Sequence, residues 1–197
     1  NTVTIKPGWN MLAVNFKDVS NTDGILLNDL AGNYSDSVLA GIGVSVVING
    51  GTYKAITTDA TSDHANDMIY ANNGGKITIN AGYFAYDAGV WTLNCKDNSG
   101  STIVVYGGTF EKFNPQNNAS EGANTNFVPK EYAVTVNGNE YTVVEAVAYI
   151  DTVGYATFEA AIAAAKDGDT VDLLTDVTTT AYIGIDKSIT IDGNGYS

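Results

Sequence analysis

The sequence predicts an all-β protein: a right-handed parallel β-helix with a capping hairpin and one short amphipathic helix that opens a second β-helical unit. Three observations predict it. A phrase of alternating apolar residues, a polar residue, a glycine and usually an aromatic recurs along the chain. It reads Val3-Thr4-Ile5-Lys6-Pro7-Gly8-Trp9, then Val46-Val47-Ile48-Asn49-Gly50-Gly51-Thr52-Tyr53, then Ile77-Thr78-Ile79-Asn80-Ala81-Gly82-Tyr83-Phe84. It returns as Ile103-Val104-Val105-Tyr106-Gly107-Gly108-Thr109-Phe110 and, more loosely, as Ile189-Thr190-Ile191-Asp192-Gly193-Asn194-Gly195-Tyr196. A period-two strand closed by a tight glycine corner, repeated every few tens of residues, is the mark of a stacked solenoid. The corners of the central copies are 31 and then 26 residues apart, which suits one turn of a parallel β-helix. Composition agrees: Thr, Val, Ile, Tyr, Asn and Gly dominate, and helix formers are scarce outside one segment.

Residues 1–40 form an N-terminal β segment, with Trp9 to Phe16 as a buried strand pair and Val19 to Gly32 as an irregular loop. Residues 41–130 hold the regular coils and their terminating loop. Between the copies, Met68-Ile69-Tyr70 and Val90-Trp91-Thr92-Leu93 read as secondary strands on another face of the coil, and Thr57 to Asn66 as a loop leaving it. Phe113 to Pro129 is rich in turn formers and ends the repeat. Residues 131–147 form a capping hairpin: Tyr132 to Val136 and Glu140 to Val144 flank Asn137-Gly138-Asn139, an Asn-Gly turn signal. Covering the open end of a sheet in this way hides backbone groups that invite aggregation.

Residues 148–197 start a second unit. Thr157 can cap a helix through Phe158 to Lys166, with Phe158, Ile162 and Ala165 on one face and Gly168 as its stop. Strands follow at Thr170 to Leu174, Ala181 to Ile185 and Ser188 to Ile191. The first residue is Asn and the last residues follow a repeat corner, so a processed or partly observed product is expected.

Charge narrows the function. Nine lysines and no arginine stand against twenty-two Asp and Glu, a formal net charge of −13. Phosphate backbones and anionic membranes are bound through Lys and Arg clusters, so neither nucleic acid nor membrane insertion is expected. One cysteine, Cys95, gives no disulfide framework and no cysteine metal cluster, and it reads as a small buried residue.

Gly107-Gly108-Thr109-Phe110, followed by Phe113-Asn114-Pro115 and the run from Asn124 to Val128, resembles the closing stretch of pectate-lyase-like right-handed β-helix repeat modules. Such modules occur in surface proteins of gut bacteria and in phage fibres and tailspikes. The run from Tyr155 to Leu174 is similar to their opening, and the two matches span residues 43 to 197. The resemblance implies an extracellular place, on a cell surface or virion. It implies little chemistry, because that fold serves enzymes, tailspikes and passive adhesins alike.

Asn21-Thr22-Asp23-Gly24-Ile25 coincides with the first motif of polygalacturonase-like glycosidases. Inverting hydrolysis needs a protonated carboxyl and a second that activates water. The companion signatures (adjacent aspartates, a Gly-His-Gly and an Arg-Ile-Lys) are missing, so the motif reads as a loop. A lyase base beside calcium is usually arginine, and there is none. No catalytic residue is therefore assigned.

Asp59, Asp63, His64 and Asp67 form the densest polar run and are the candidate ligand-binding residues, although a solvated loop has the same composition. The Asp-x-Asp-x-Asp-Gly rhythm of a calcium loop is missing, so neither metal nor cofactor is expected. The corner aromatics Tyr53, Tyr83, Phe84, Phe110 and Tyr196 read as a packed ladder or, alternatively, as an exposed sugar-binding strip. Asn49, Asn80 and Asp192 occupy a matching corner and suit a polar ladder.

The expected function is a non-catalytic structural or adhesive module of an extracellular surface or fibre protein. It would self-associate through its ends and could meet a cell-surface glycan. The alternatives are a polysaccharide-acting enzyme (glycoside hydrolase or lyase) and a sugar-binding tailspike module.

Overall fold

The computed structural model describes residues 2–5, 25–26, 38–40, 45–55, 67–71, 74–86 and 91–197. Among these the chain is mainly β, with one helix and three sheets that mix parallel and antiparallel pairs. The largest sheet contains β1 (Thr2–Ile5), β4 (Ser45–Ala55), β6 (Lys76–Tyr86), β8 (Thr102–Val105), β9 (Gly108–Glu111), β10 (Tyr132–Asn137) and β11 (Glu140–Glu145). Its order is β1-β4-β6-β9-β11-β10, with β8 also against β6. The second sheet runs β2 (Ile25–Leu26), β3 (Val38–Ala40), β5 (Ile69–Ala71) and β7 (Leu93–Cys95). The third comprises β12 (Ala148–Ile150), β13 (Val153–Tyr155), β14 (Thr170–Leu173) and β15 (Thr190–Asp192), in the order β13-β12-β14-β15.

The recurring phrase sets the parallel part of the largest sheet. Alternation sends Val46, Ile48, Ile77, Ile79, Ile103 and Val105 inward, and parallel register stacks them: Ile48 faces Ile79, and Ile79 faces Val105. Beyond the corner, Tyr53 pairs with Phe84 and Phe84 with Phe110. Their rings stack at centroid distances of 4.9 and 4.8 Å. Of the corner aromatics, Tyr53, Phe84 and Phe110 are therefore an internal column, whereas Tyr83 turns to Glu111 and Glu140 and Tyr196 is exposed. Burial pushes the Tyr53 hydroxyl up to about 12, and it donates to the Gly50 carbonyl at 3.1 Å. Asn80 Nδ2 donates to Asn49 Oδ1 at 2.7 Å, so the polar corner ladder forms between these two copies. Gly82, at φ +141°, occupies backbone space that side chains avoid, and a Cβ there would lie 2.8 Å from the Phe84 ring. At Gly107 a Cβ would collide with the Asn80 carbonyl, so the stacked corners need glycine for their close approach.

The expected right-handed parallel β-helix, and with it a β-helical second unit, is corrected by this topology. The described residues form several small mixed sheets, and no continuous solenoid is found. The strand phrase stacks in parallel only as far as β9. The Asn-Gly turn then reverses the chain, and β11 pairs antiparallel with both β10 and β9. Glu140 faces Glu111 and Val143 faces Gly108, which ends the parallel run. The third sheet departs further, because β12 is antiparallel to both β13 and β14. Asp151, at φ +53°, lies in the turn that makes β12-β13 a hairpin. Short antiparallel pairs close through local turns, as at Asn137-Gly138 and Asp151, whereas a parallel pair needs a long crossover.

The hairpin stands at β10–β11 across Gly138. The run expected at Val90 to Leu93 forms its strand later, at Leu93–Cys95, with Trp91 and Thr92 in a turn. Ala181 to Ile185 forms no strand, and the last strand is Thr190–Asp192. Trp9 to Phe16 and most of Val19 to Gly32 lie outside the described residues, as does most of the Asn21-to-Ile25 motif. Only Ile25–Leu26 is seen there, as β2.

Two cores result. One is built on Val46, Ile48, Ile79, Phe84, Phe110 and their neighbours, and the other on Ala148, Ile150, Ala161, Ile162, Ala165, Val171 and Leu173. Helix α1 (Phe158–Ala164) covers the second, burying Ala161 and Ile162 with Phe158 packed alongside. Thr157 Oγ1 accepts from the Ala160 amide at 3.1 Å, as its capping position predicts. At the other end, Lys187 Nζ donates to the Ile162 and Ala163 carbonyls, placing a cation where the helix dipole favours one.

Candidate functional site

Two polar constellations lie on the sheets, and neither is the loop that the sequence singled out. Of the four candidate residues, Asp59, Asp63 and His64 lie outside the described residues. Asp67 is only 7% exposed, and its Oδ1 accepts from Asn94 Nδ2 at 2.8 Å. It stands just before β5, where the Met68 amide donates to the Trp91 carbonyl and the Ile69 amide to that of Thr92.

The first constellation sits where β7 ends its sheet. Parallel register sets Tyr70 beside Asn94 and Ala71 beside Cys95. The Cys95 amide donates to Glu121 Oε1 at 2.6 Å. Glu121 arrives from the turn-rich loop after β9, which is held by its own side chains. Asn118 accepts from the Ser120 amide at 3.0 Å, Asn114 from the Gln116 amide at 3.0 Å, and Thr125 Oγ1 from the Glu121 amide at 3.2 Å. Asn and Thr favour such turns because their side chains substitute for backbone partners.

Burial pushes the Glu121 carboxyl up to about 7. The Cys95 amide opposes that rise, while Asp97, by charge and hydrogen bond, and Asp67, by charge, add to it. The Cys95 thiol is half-buried and is pushed up to about 11, first by burial and then by the charge of Glu121. A thiol so raised carries almost no thiolate at neutral pH, so it is a poor nucleophile. What the arrangement can do is hold a loop against a strand edge through a carboxyl that titrates near neutrality.

The second constellation faces outward on the largest sheet. Tyr83 on β6 directs its hydroxyl at Glu111 Oε2 on β9, at 3.3 Å, and at Glu140 Oε1 on β11, at 3.2 Å. The hydroxyl carries one hydrogen and so donates to one carboxylate at a time. Desolvation first, then the charges and hydrogen bonds of the two glutamates, hold the Tyr83 hydroxyl above its ordinary range. Behind them, Thr109 and Thr142 share a hydroxyl contact of 3.0 Å, and Lys112 lies 3.9 Å from Glu111. Two carboxyls meeting at one tyrosine is a grouping that sugar chemistry can use. Here it stands on an open sheet face, with Glu111 36% exposed.

Among the described residues no group of three or more His, Cys, Asp or Glu is placed to hold a metal ion. No helix among them is long and apolar enough to cross a membrane. Sequence reasoning missed both constellations. Glu121 did leave a trace, as the sole acid between Lys112 and Glu131 in a run of turn formers. The Glu111–Glu140 meeting had none, since it arises only from the register of β11 against β9. No family model matches the chain, and neither the curated proteins nor the solved structures give a match.

Proposed function

We propose that this chain is a non-catalytic structural or adhesive β module of an extracellular surface or fibre protein. The observation that carries the reading is how its carboxylates are used. Among the described residues, five of them accept backbone amides at strand ends and turns. Glu121 takes the Cys95 amide, Asp167 that of Ser188, Asp169 that of Lys166, Asp176 that of Ser197 and Asp192 that of Asn194. Such bonds satisfy exposed backbone donors and stiffen corners, which serves a scaffold. An acidic surface also keeps densely displayed chains from sticking to one another.

A second reading, an enzyme or binding module acting on polysaccharide, is favoured by the Glu111–Tyr83–Glu140 grouping. Incubation with a panel of neutral and acidic polysaccharides, scored for new reducing ends and for unsaturated products, separates the two. The structural reading expects no product. Product formation that disappears in Glu140→Gln would overturn it and establish the enzyme.

A further inference from the structure

The chain contains four Asn-Gly pairs, at residues 49–50, 73–74, 137–138 and 194–195. Asparagine followed by glycine is chemically labile, because no side chain on the second residue hinders its backbone nitrogen from reaching the asparagine side chain. Asn73 lies outside the described residues. Two of the others are restrained. Asn49 Oδ1 accepts from Asn80 Nδ2 at 2.7 Å, and Gly50 is buried. Asn194 Nδ2 donates to the Leu173 carbonyl at 3.2 Å. The hairpin tip differs, because Val136, Asn137, Gly138 and Asn139 are all exposed. The two-residue loop leaves the Gly138 amide outside the β10–β11 ladder, and Gly138 stands at φ +60° with open space where a Cβ would lie.

We propose that Asn137 is a self-modification site, at which deamidation turns its side chain into a carboxylate. The Gly138 backbone nitrogen, on losing its proton, attacks Asn137 Cγ. The Cγ–Nδ2 bond then breaks, and Nδ2 leaves as ammonia after taking up a proton. Water opens the resulting cyclic imide at either carbonyl, giving aspartate or isoaspartate and restoring the Gly138 N–H. Register gives the product its consequence. Asn137 pairs with Glu140, and Glu140 with Glu111, so the three stand in one cross-strand row on one face. Tyr83 already offers its single hydrogen to Glu111 and Glu140. A third carboxylate adds charge to that row and no donor, and like charges facing across strands are destabilising. Isoaspartate also routes the backbone through the former side chain and disturbs the pairing with Glu140. The modification therefore loosens the hairpin that lies against β9. It is independent of whether the chain is a scaffold or acts on polysaccharide.

Incubation of the intact protein at mildly alkaline pH, followed by cleavage after lysine and mass spectrometry, tests the site. Base speeds the reaction because the attacking nitrogen must lose its proton. The peptide spanning residues 131–166 is expected to exchange the mass of an amide for that of an acid. Fragmentation should place the change at Asn137, not Asn139, and ahead of any change at Asn49. An Asn137→Asp variant carries the aspartate product from the start. Its β10–β11 amides should exchange with deuterated water about two- to fivefold faster than those of the wild type at neutral pH, and at the wild-type rate once the carboxylates of the row are protonated. An Asn137 that stays intact, or that changes no sooner than Asn49, overturns the site. Equal exchange in the two proteins at neutral pH overturns the loosening of the hairpin.

Discussion

Glu121→Gln should remove a pH dependence of stability that this one carboxyl imposes. Burial raises Glu121 from 4.5 to about 7 in the folded chain. Between those values the folded chain keeps a proton that the unfolded chain has released. Stability therefore falls as pH rises from 4.5 to about 7 and is level on either side of that window. At about 1.4 kcal/mol per pH unit the full rise corresponds to about 3 kcal/mol. The carboxyl is only partly buried and so is screened by solvent, which brings the expected loss to about 1–2 kcal/mol.

Glutamine cannot ionise, yet its side-chain carbonyl can still accept the Cys95 amide. The variant should match the wild type at pH 4.5 and exceed it by that margin above pH 7. The groups facing Glu121 are Asp97, Asp67 and the Cys95 thiol, and the thiol, near 11, does not titrate in the window. Urea unfolding at a series of pH values, followed by the fluorescence of the two tryptophans, of which Trp91 lies two residues before β7, measures the difference directly. Parallel stability curves for the two proteins across the window would refute the coupling of this carboxyl to the fold.

Two further substitutions test the cores. Phe84→Ala empties the middle of the Tyr53–Phe84–Phe110 column and should cost about 3–5 kcal/mol, read as a lower urea midpoint with an unchanged slope. Thr157→Ala removes the cap on the Ala160 amide and should cost about 1 kcal/mol, with Thr157→Ser restoring most of it.

Local patterns were legible in the sequence where the cause is local. Alternation in Val46-Val47-Ile48 and Ile77-Thr78-Ile79 placed the inward residues, and the glycine corners placed the aromatic column. Thr157 announced its helix and Asn137-Gly138 its hairpin because caps and turns depend on a few adjacent residues. What the sequence did not disclose is which partner each strand takes. The phrase at residues 103–110 looks like one more repeat, yet the next strand on its far side is β11, running the other way. A strand carries the same alternation in either direction, so periodicity alone does not distinguish parallel stacking from a hairpin folding back.

The same limit explains why the polar run chosen from sequence missed both constellations. Density of Asp and His along the chain marks a loop that solvent can reach, but a perturbed carboxyl needs neighbours that bury it. Asp67 shows the difference. It belongs to the polar run, but with Oδ1 on Asn94 and little exposure it anchors the start of β5 to β7. Glu121 stands alone among turn formers in sequence and is brought to Asp67 and Asp97 by the neighbouring strands β5 and β7 and a loop held by Asn114, Asn118 and Thr125. Its chemistry follows from that placement: burial at the end of β7, with Asp97 and Asp67 close by, tunes the acid toward neutrality against the opposing pull of the Cys95 amide.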